Sequence, residues 1–284
     1  MFNRDDPNTW PCFRPLIMAH DVGHRRDRST AVVGGLSPFE PRLTGIKEAE
    51  ELPQGLYGSA RASALAIVDR RYHSDAVIVA DLSNDATYAE VLFDTFGPSR
   101  VIGIQISRHG DGMTAERRPV KHGAMLFYTV GRTYLLELYH SELQASQIRI
   151  VDGPTTRRAY EQLMALETEI RESGIVYTCP PGHHDDLGIS CAMLAWAARH
   201  PHLPYWANTA MAARRPRRPP PPKISPLAGH EHLPRFCRTS FGQSKFSLAV
   251  WGGFEYFSER GATLSPPLFP LARERQLNQA PNCF

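Results

Sequence analysis

The stretch Cys179-Pro180-Pro181-Gly182-His183-His184-Asp185-Asp186-Leu187-Gly188-Ile189-Ser190 decides how this chain is read. Its Pro-Pro-Gly turn stops whatever element precedes it. Two His and two Asp follow at once. Leu187, Cys191, Leu194, Ala195 and Ala198 then fall on one face of a helix. Carboxylates at the mouth of a helix have two readings. They can cap it, because its positive end and free N–H groups favour an acid. They can also hold a hard cation such as Mg²⁺, which takes oxygen ligands. The choice turns on whether the chain brings further carboxylates to the same place.

Upstream, Leu16-Ile17-Met18-Ala19-His20-Asp21 is an apolar run ending in an acid. A polar turn with Gly23 and Asp27 separates it from a second apolar run, Thr30–Leu36. Together these predict a hairpin of two buried strands, with a third strand near Leu43–Glu50. From Gly55 the period becomes helical, with Leu56, Ala60, Ala64, Ile67 and Val68 on one face as far as Arg71. Ala76-Val77-Ile78-Val79-Ala80-Asp81 reads as a fully buried strand, again ending in an acid. Asn84 or Asp85 can cap a second helix, and Val101–Ile106 is a further strand. Ser107–Gly123 reads as a polar loop, and residues 131–147 and 156–173 as helices.

Three strands followed by alternating helices and strands predict an α/β fold. Its mixed sheet has three antiparallel strands, then parallel ones, with helices on both faces. In such sheets the carboxyl ends of the central strands meet in one crevice. Asp21 and Asp81 each end a buried strand, where an unpaired carboxylate is costly and a divalent cation would offset the cost. With Asp185 or Asp186 as the third corner, these acids are both the candidate metal ligands and the candidate catalytic set. They suit a phosphodiester-cleaving centre with two Mg²⁺ or Mn²⁺ ions, one serving the attacking water and one the leaving oxygen. Asp185 and Asp186 stay undecided, because adjacent helical positions point about 100° apart. Asp27 is expected to shape its turn, and His20 to point away from Asp21 into packing. His183 and His184 are expected beside the ligands, not among them. Arg108, Arg117, Arg118 and Lys121 would grip a DNA backbone if the loop lies near the centre. Otherwise that loop is a solvated surface.

Three segments resemble the nuclease domain of the large terminase subunit of tailed phages and prophages. His20-Asp21-Val22-Gly23 through Asp27-Arg28-Ser29-Thr30-Ala31-Val32-Val33 is similar to the family's first hairpin. Val77–Asp81 is similar to its second acidic strand, and His184-Asp185-Asp186-Leu187 to its closing helix. The resemblance covers roughly residues 16–200 and implies a ribonuclease-H-like fold. It implies a metal-dependent endonuclease that cuts double-stranded DNA for packaging. The implied partners are a separate packaging ATPase, a small terminase subunit or a portal, in the cytoplasm of a bacterial host. The chain departs from the family in having Leu82-Ser83-Asn84-Asp85 after Asp81, where a Gly-containing turn is common. Rival readings are a junction resolvase or ribonuclease H, a sugar-kinase- or actin-like ATP-binding protein, and a non-catalytic prophage remnant that binds DNA or a partner.

Composition sets outer bounds. A chain of 284 residues with 42% apolar residues can bury a sizeable core. The net charge of +3 neither demands nor excludes a polyanionic partner. Five Cys without a C-x-x-C predict reduced thiols and no zinc site. No apolar run reaches the roughly 18 residues of a membrane span, and no signal-peptide pattern opens the chain, which predicts a soluble intracellular protein. No Walker motif is present, so any ATP-driven motor would lie on another chain. Residues 201–284 carry 13 of the 24 prolines, including the run Arg214–Lys223. This predicts an N-terminal arm over 1–14, a nuclease domain over 15–203, and a Pro/Arg-rich tail over 204–284, disordered or poorly packed.

Overall fold

The first strand, β1 (Leu16–Asp21), lies at the centre of an eight-stranded sheet in this computed structural model. The structure describes residues 3–10, 12–23, 27–73, 75–83, 85, 87–121, 123–171 and 174–214. On one side of β1, β2 (Thr30–Leu36) and β3 (Thr44–Glu51) add antiparallel. After helix α1 (Gly58–Arg71), β4 (Val77–Asp81) adds in parallel on the other side, and β5 (Val101–Ser107) follows across α2 (Tyr88–Phe96). This is the mixed sheet expected from the sequence, with three antiparallel strands and then parallel ones.

Strand alternation sends neighbouring side chains to opposite faces, and each face has its own core. Met18, Val33, Ile78 and Ala80 pack with Leu65 and Val68 of α1 and Leu92 and Phe93 of α2. Ile17, Ala19, Val32, Val77 and Val79 pack on the other face. There they meet α3 (Arg132–Gln144), α4 (Pro154–Met164) and α5 (Asp186–Arg199). Helix α5 is buried from Leu187 to Ala198, so it reads as apolar all round, beyond the single stripe that the sequence shows.

Several expectations are corrected. The segment Ser107–Gly123 is no loop. It contains the edge strand β6 (Asp111–Val120), which pairs antiparallel with β7 (Gly123–Gly131), itself parallel to β5. The helix expected over 156–173 ends at Met164. After it come β9 (Glu167–Arg171) and β10 (Gly174–Thr178), a separate two-stranded ribbon. A short strand β8 (Ile148–Ile150) extends the sheet beyond β3. The inward face of α1 is set by Arg61, Ala62, Leu65, Val68 and Asp69, while Ile67 is exposed. Two polar residues turn inward on buried partners: Asp69 accepts Arg100 Nη1 at 3.0 Å and Nη2 at 2.6 Å, and Arg61 Nη2 donates to Gly23 O at 3.1 Å.

Within the N-terminal arm, Trp10 and Phe13 are buried against Leu43. The boundary near 203 falls at the start of α6 (Leu203–Arg214), whose Trp206 and Ala210 are buried in the core. Residues 215–284, with the tail expectations, and the capping residue Asn84 lie outside the described residues. No helix among the described residues is long and apolar enough to cross a membrane.

Candidate active site

Strand register brings Asp21 and Asp81 together. His20 pairs with Ala80, so the next position along β1 and β4 sets the two acids side by side. Adjacent strands stand about 4.8 Å apart. Alternation turns both acids to the α5 face. His20 goes to the other face, as expected: it is fully buried, packs edge-on against Tyr88, and donates from Nδ1 to Thr30 O at 2.8 Å. Burial lowers its pKa to about 4, so the ring is neutral.

The start of α5 is pinned over the same place. Thr30, opposite Asp21 on β2, shares a 2.6 Å hydrogen bond with Ser190 and donates to Asp186 O at 3.3 Å. Asp185 occupies the N-cap position of α5, yet its side chain makes no capping bond. Gln162 of α4 does that work, its Oε1 accepting from Leu187 N–H at 3.0 Å and Gly188 N–H at 3.2 Å. Both Asp185 and Asp186 are thereby released from capping, which removes the simpler of the two readings of this motif.

The carboxylates meet in a cleft of about 460 Å³ lined by Asp21, Asp27, Asp81, Asp185 and Asp186, with Ser83, Arg108 and Arg132 on its walls. Burial, and for two of them neighbouring acids, raises the pKa of Asp21, Asp81 and Asp186. The Asp21 pKa is raised well above the usual carboxylate range, first by burial and then by Asp81, Asp186 and Asp185. That of Asp186 rises to about 6, through burial, then Asp185 and Asp27. Asp81 is raised by burial, against the Ser83 hydroxyl and the Ser83 N–H, which donate to it, the amide at 2.9 Å. The Asp185 carboxylate is paired with the Arg132 guanidinium. Among the described residues no donor reaches the Asp21 carboxylate.

A crowd of buried carboxylate oxygens, three of them with raised pKa values, suits a hard divalent cation, whose charge would offset their repulsion and burial. The chemistry of the set therefore fits Mg²⁺ or Mn²⁺. Among the described residues no three His, Cys, Asp or Glu side chains yet stand at distances that would enclose one ion.

The basic residues expected to bind DNA divide. Arg108 lines the cleft. Arg117 and Arg118 pair across from Leu126 and Met125, toward the end of the sheet away from the acids, and Lys121 lies beyond them. Arg118 is taken up by the Phe127 ring, 3.7 Å from its guanidinium carbon, and by Gln105. His183 and His184 lie in a neighbouring cleft bordered by Asp186. Arg132, Gln162 and Ser83 were missed by sequence reasoning. Only Ser83, two residues after Asp81, sat where a local signal could have flagged it.

No family model matches the chain, and no curated protein matches it at a significant level. Several solved structures resemble it. The large terminase nuclease from the thermophilic phage G20c shares 16% identity with a TM-score of 0.43, over 66% of this chain and 85% of that one. The large terminase nuclease domain from the bacteriophage SPP1, solved with bound Mn, shares 12% identity with a TM-score of 0.39, over 69% of this chain and 93% of that one. A yeast mitochondrial Holliday junction resolvase shares 9% identity with a TM-score of 0.34, over 72% of this chain and 83% of that one.

Proposed function

We propose that this chain is a divalent-metal-dependent endonuclease that hydrolyses phosphodiester bonds of double-stranded DNA, with Asp21, Asp81 and Asp186 as the metal ligands. The observation that carries the reading is the meeting of two strand-terminal acids on one rung with a helix-terminal acid freed from capping. Asp186 is chosen over Asp185 because Arg132 already occupies the latter. Asp186 also raises the Asp21 pKa more than Asp185 does.

Each residue then has a task. Asp21 and Asp81 are fixed by the sheet, and Ser83 holds the Asp81 carboxylate in orientation. Arg132 fixes Asp185 on the wall of the cleft. Arg108, at its edge, would meet the phosphate backbone. A bound Mg²⁺ or Mn²⁺ pair would supply the charge that makes water a nucleophile at neutral pH and steadies the leaving oxygen. Water would attack phosphorus in line, with no covalent enzyme intermediate. DNA packaging alongside a separate ATPase, a small terminase subunit or a portal is the setting that the sequence resemblance supports.

The test is cleavage by the full chain of a supercoiled plasmid, a four-way junction and an RNA–DNA hybrid, with Mg²⁺, Mn²⁺ or EDTA. Metal-dependent nicking and linearisation of the plasmid is expected. Cutting confined to the junction or to the hybrid would replace this reading with a resolvase or a ribonuclease H. A folded protein inert on all three would end it.

A further inference from the structure

The rung that carries the acids continues across the sheet. Asp21 pairs with Thr30, and Thr30 pairs with Glu51, the last residue of β3. Cross-strand partners share a face. Asp81, Asp21, Thr30 and Glu51 therefore form one row along the α5 and α4 side of the sheet end. Glu51 opens onto a second cleft, of about 760 Å³, which borders the first at Asp186.

Glu51 is engaged twice. Arg28, from the turn between β1 and β2, donates to its Oε2 at 2.8 Å, and Arg158 of α4 pairs with its Oε1. The shared carboxylate is only 15% exposed, whereas the side chains of Arg28 and Arg158 are 55% and 52% exposed. Two guanidiniums thus meet one carboxylate. Each has five N–H donors, and Glu51 uses few of them. The rest face a cleft where His183 and His184 also stand, with Glu161 as the opposing exposed acid. Planar guanidiniums held in orientation by a carboxylate are suited to phosphate oxygens.

Distances fit one nucleic-acid strand. Asp21 to Glu51 spans two strand spacings, about 10 Å. The backbone winds around the axis, so neighbouring phosphates stand farther apart than the about 3.4 Å axial rise. A phosphate about one or two nucleotides from one lying over Asp21 would therefore meet the arginine pair.

Resting on the nuclease reading above, we propose that the strand being cut runs along this rung, with flanking phosphates bound by Arg28 and Arg158 in the second cleft. The far-end cations of β6 play no part in this track.

The test is binding of the full chain to a 20-base-pair duplex by fluorescence anisotropy, without divalent ions, across a series of salt concentrations. Each lost phosphate contact lowers the slope of log affinity against log salt by about 0.9 on B-DNA. R28Q/R158Q is expected to lower the slope by about 1.8, R28K/R158K to restore most of it, and R117Q/K121Q to leave it unchanged. Thermal melting of each variant checks folding, and the lysine pair separates lost charge from lost structure. An unchanged slope in R28Q/R158Q, or a lower one in R117Q/K121Q, overturns the track. Plasmid cleavage by the wild type in Mn²⁺ is measured alongside. Cleavage with an unchanged R28Q/R158Q slope overturns the track alone, while a wild type that neither binds nor cuts overturns both readings.

Discussion

Asp186→Asn should make the metal-free protein more stable and the protein in Mn²⁺ less so. The Asp186 pKa rises from 3.8 to about 6 on folding. Two units correspond to about 3 kcal/mol at 1.4 kcal/mol each. Asp186 is part-exposed, and solvent screening reduces the figure to about 1–2 kcal/mol. The sign follows from linkage. Between pH 4 and 6 the folded state holds a proton that the unfolded state has released, so stability falls as pH rises through this window and is flat above it. The variant lacks that loss. Urea titrations in EDTA should show D186N about 1–2 kcal/mol more stable than wild type at pH 7.5 and indistinguishable from it near pH 4. At roughly 2–4 °C for each kcal/mol, the melting temperature shifts measurably. Mn²⁺ at a hundred times its Kd should stabilise wild type by about 2.7 kcal/mol and the variant much less. Equal stabilities at pH 7.5, or the same gap at pH 4, would refute the claim that burial and the neighbouring acids hold the Asp186 pKa up.

Other outcomes follow from the same geometry. Asp185→Asn should keep most Mn²⁺ binding by calorimetry, because Arg132 already holds that carboxylate, whereas D186N should lose it. Asp81→Ala should slow plasmid cleavage by at least about 10²–10³-fold with the fold intact by circular dichroism. Gln162→Ala should cost about 1 kcal/mol in urea unfolding, by stripping the cap from α5. Trp206→Ala should cost about 3–5 kcal/mol, since this residue of α6 is only 1% exposed. A negligible cost would mean that α6 does not belong to the core.

What the sequence shows and hides has physical causes. β1, β2, β4 and β5 are legible because buried strands concentrate apolar residues, and each acid stands out at the end of one. Period-two alternation already implies that His20 and Asp21 face opposite ways, as they do. β6 is hidden because it is an edge strand exposed along most of its length, so Asp111–Val120 carries no apolar alternation. The β9–β10 ribbon is hidden for the same reason, its Glu167–Arg171 strand being exposed throughout. Proline and arginine content masks α6, where one buried Trp anchors a helix that composition alone would end at 203. At the site, the choice between capping and chemistry for Asp185 and Asp186 depends on Gln162, more than twenty residues upstream. No local pattern announces that contact, nor the one between Arg132 and Asp185.

The most direct measurement is an anomalous difference map from a crystal of the full chain soaked in Mn²⁺. The account predicts a peak enclosed by Asp21, Asp81 and Asp186, with Asp185 still on Arg132. A map with no peak there, or with the ion on His183 and His184 instead, would contradict it.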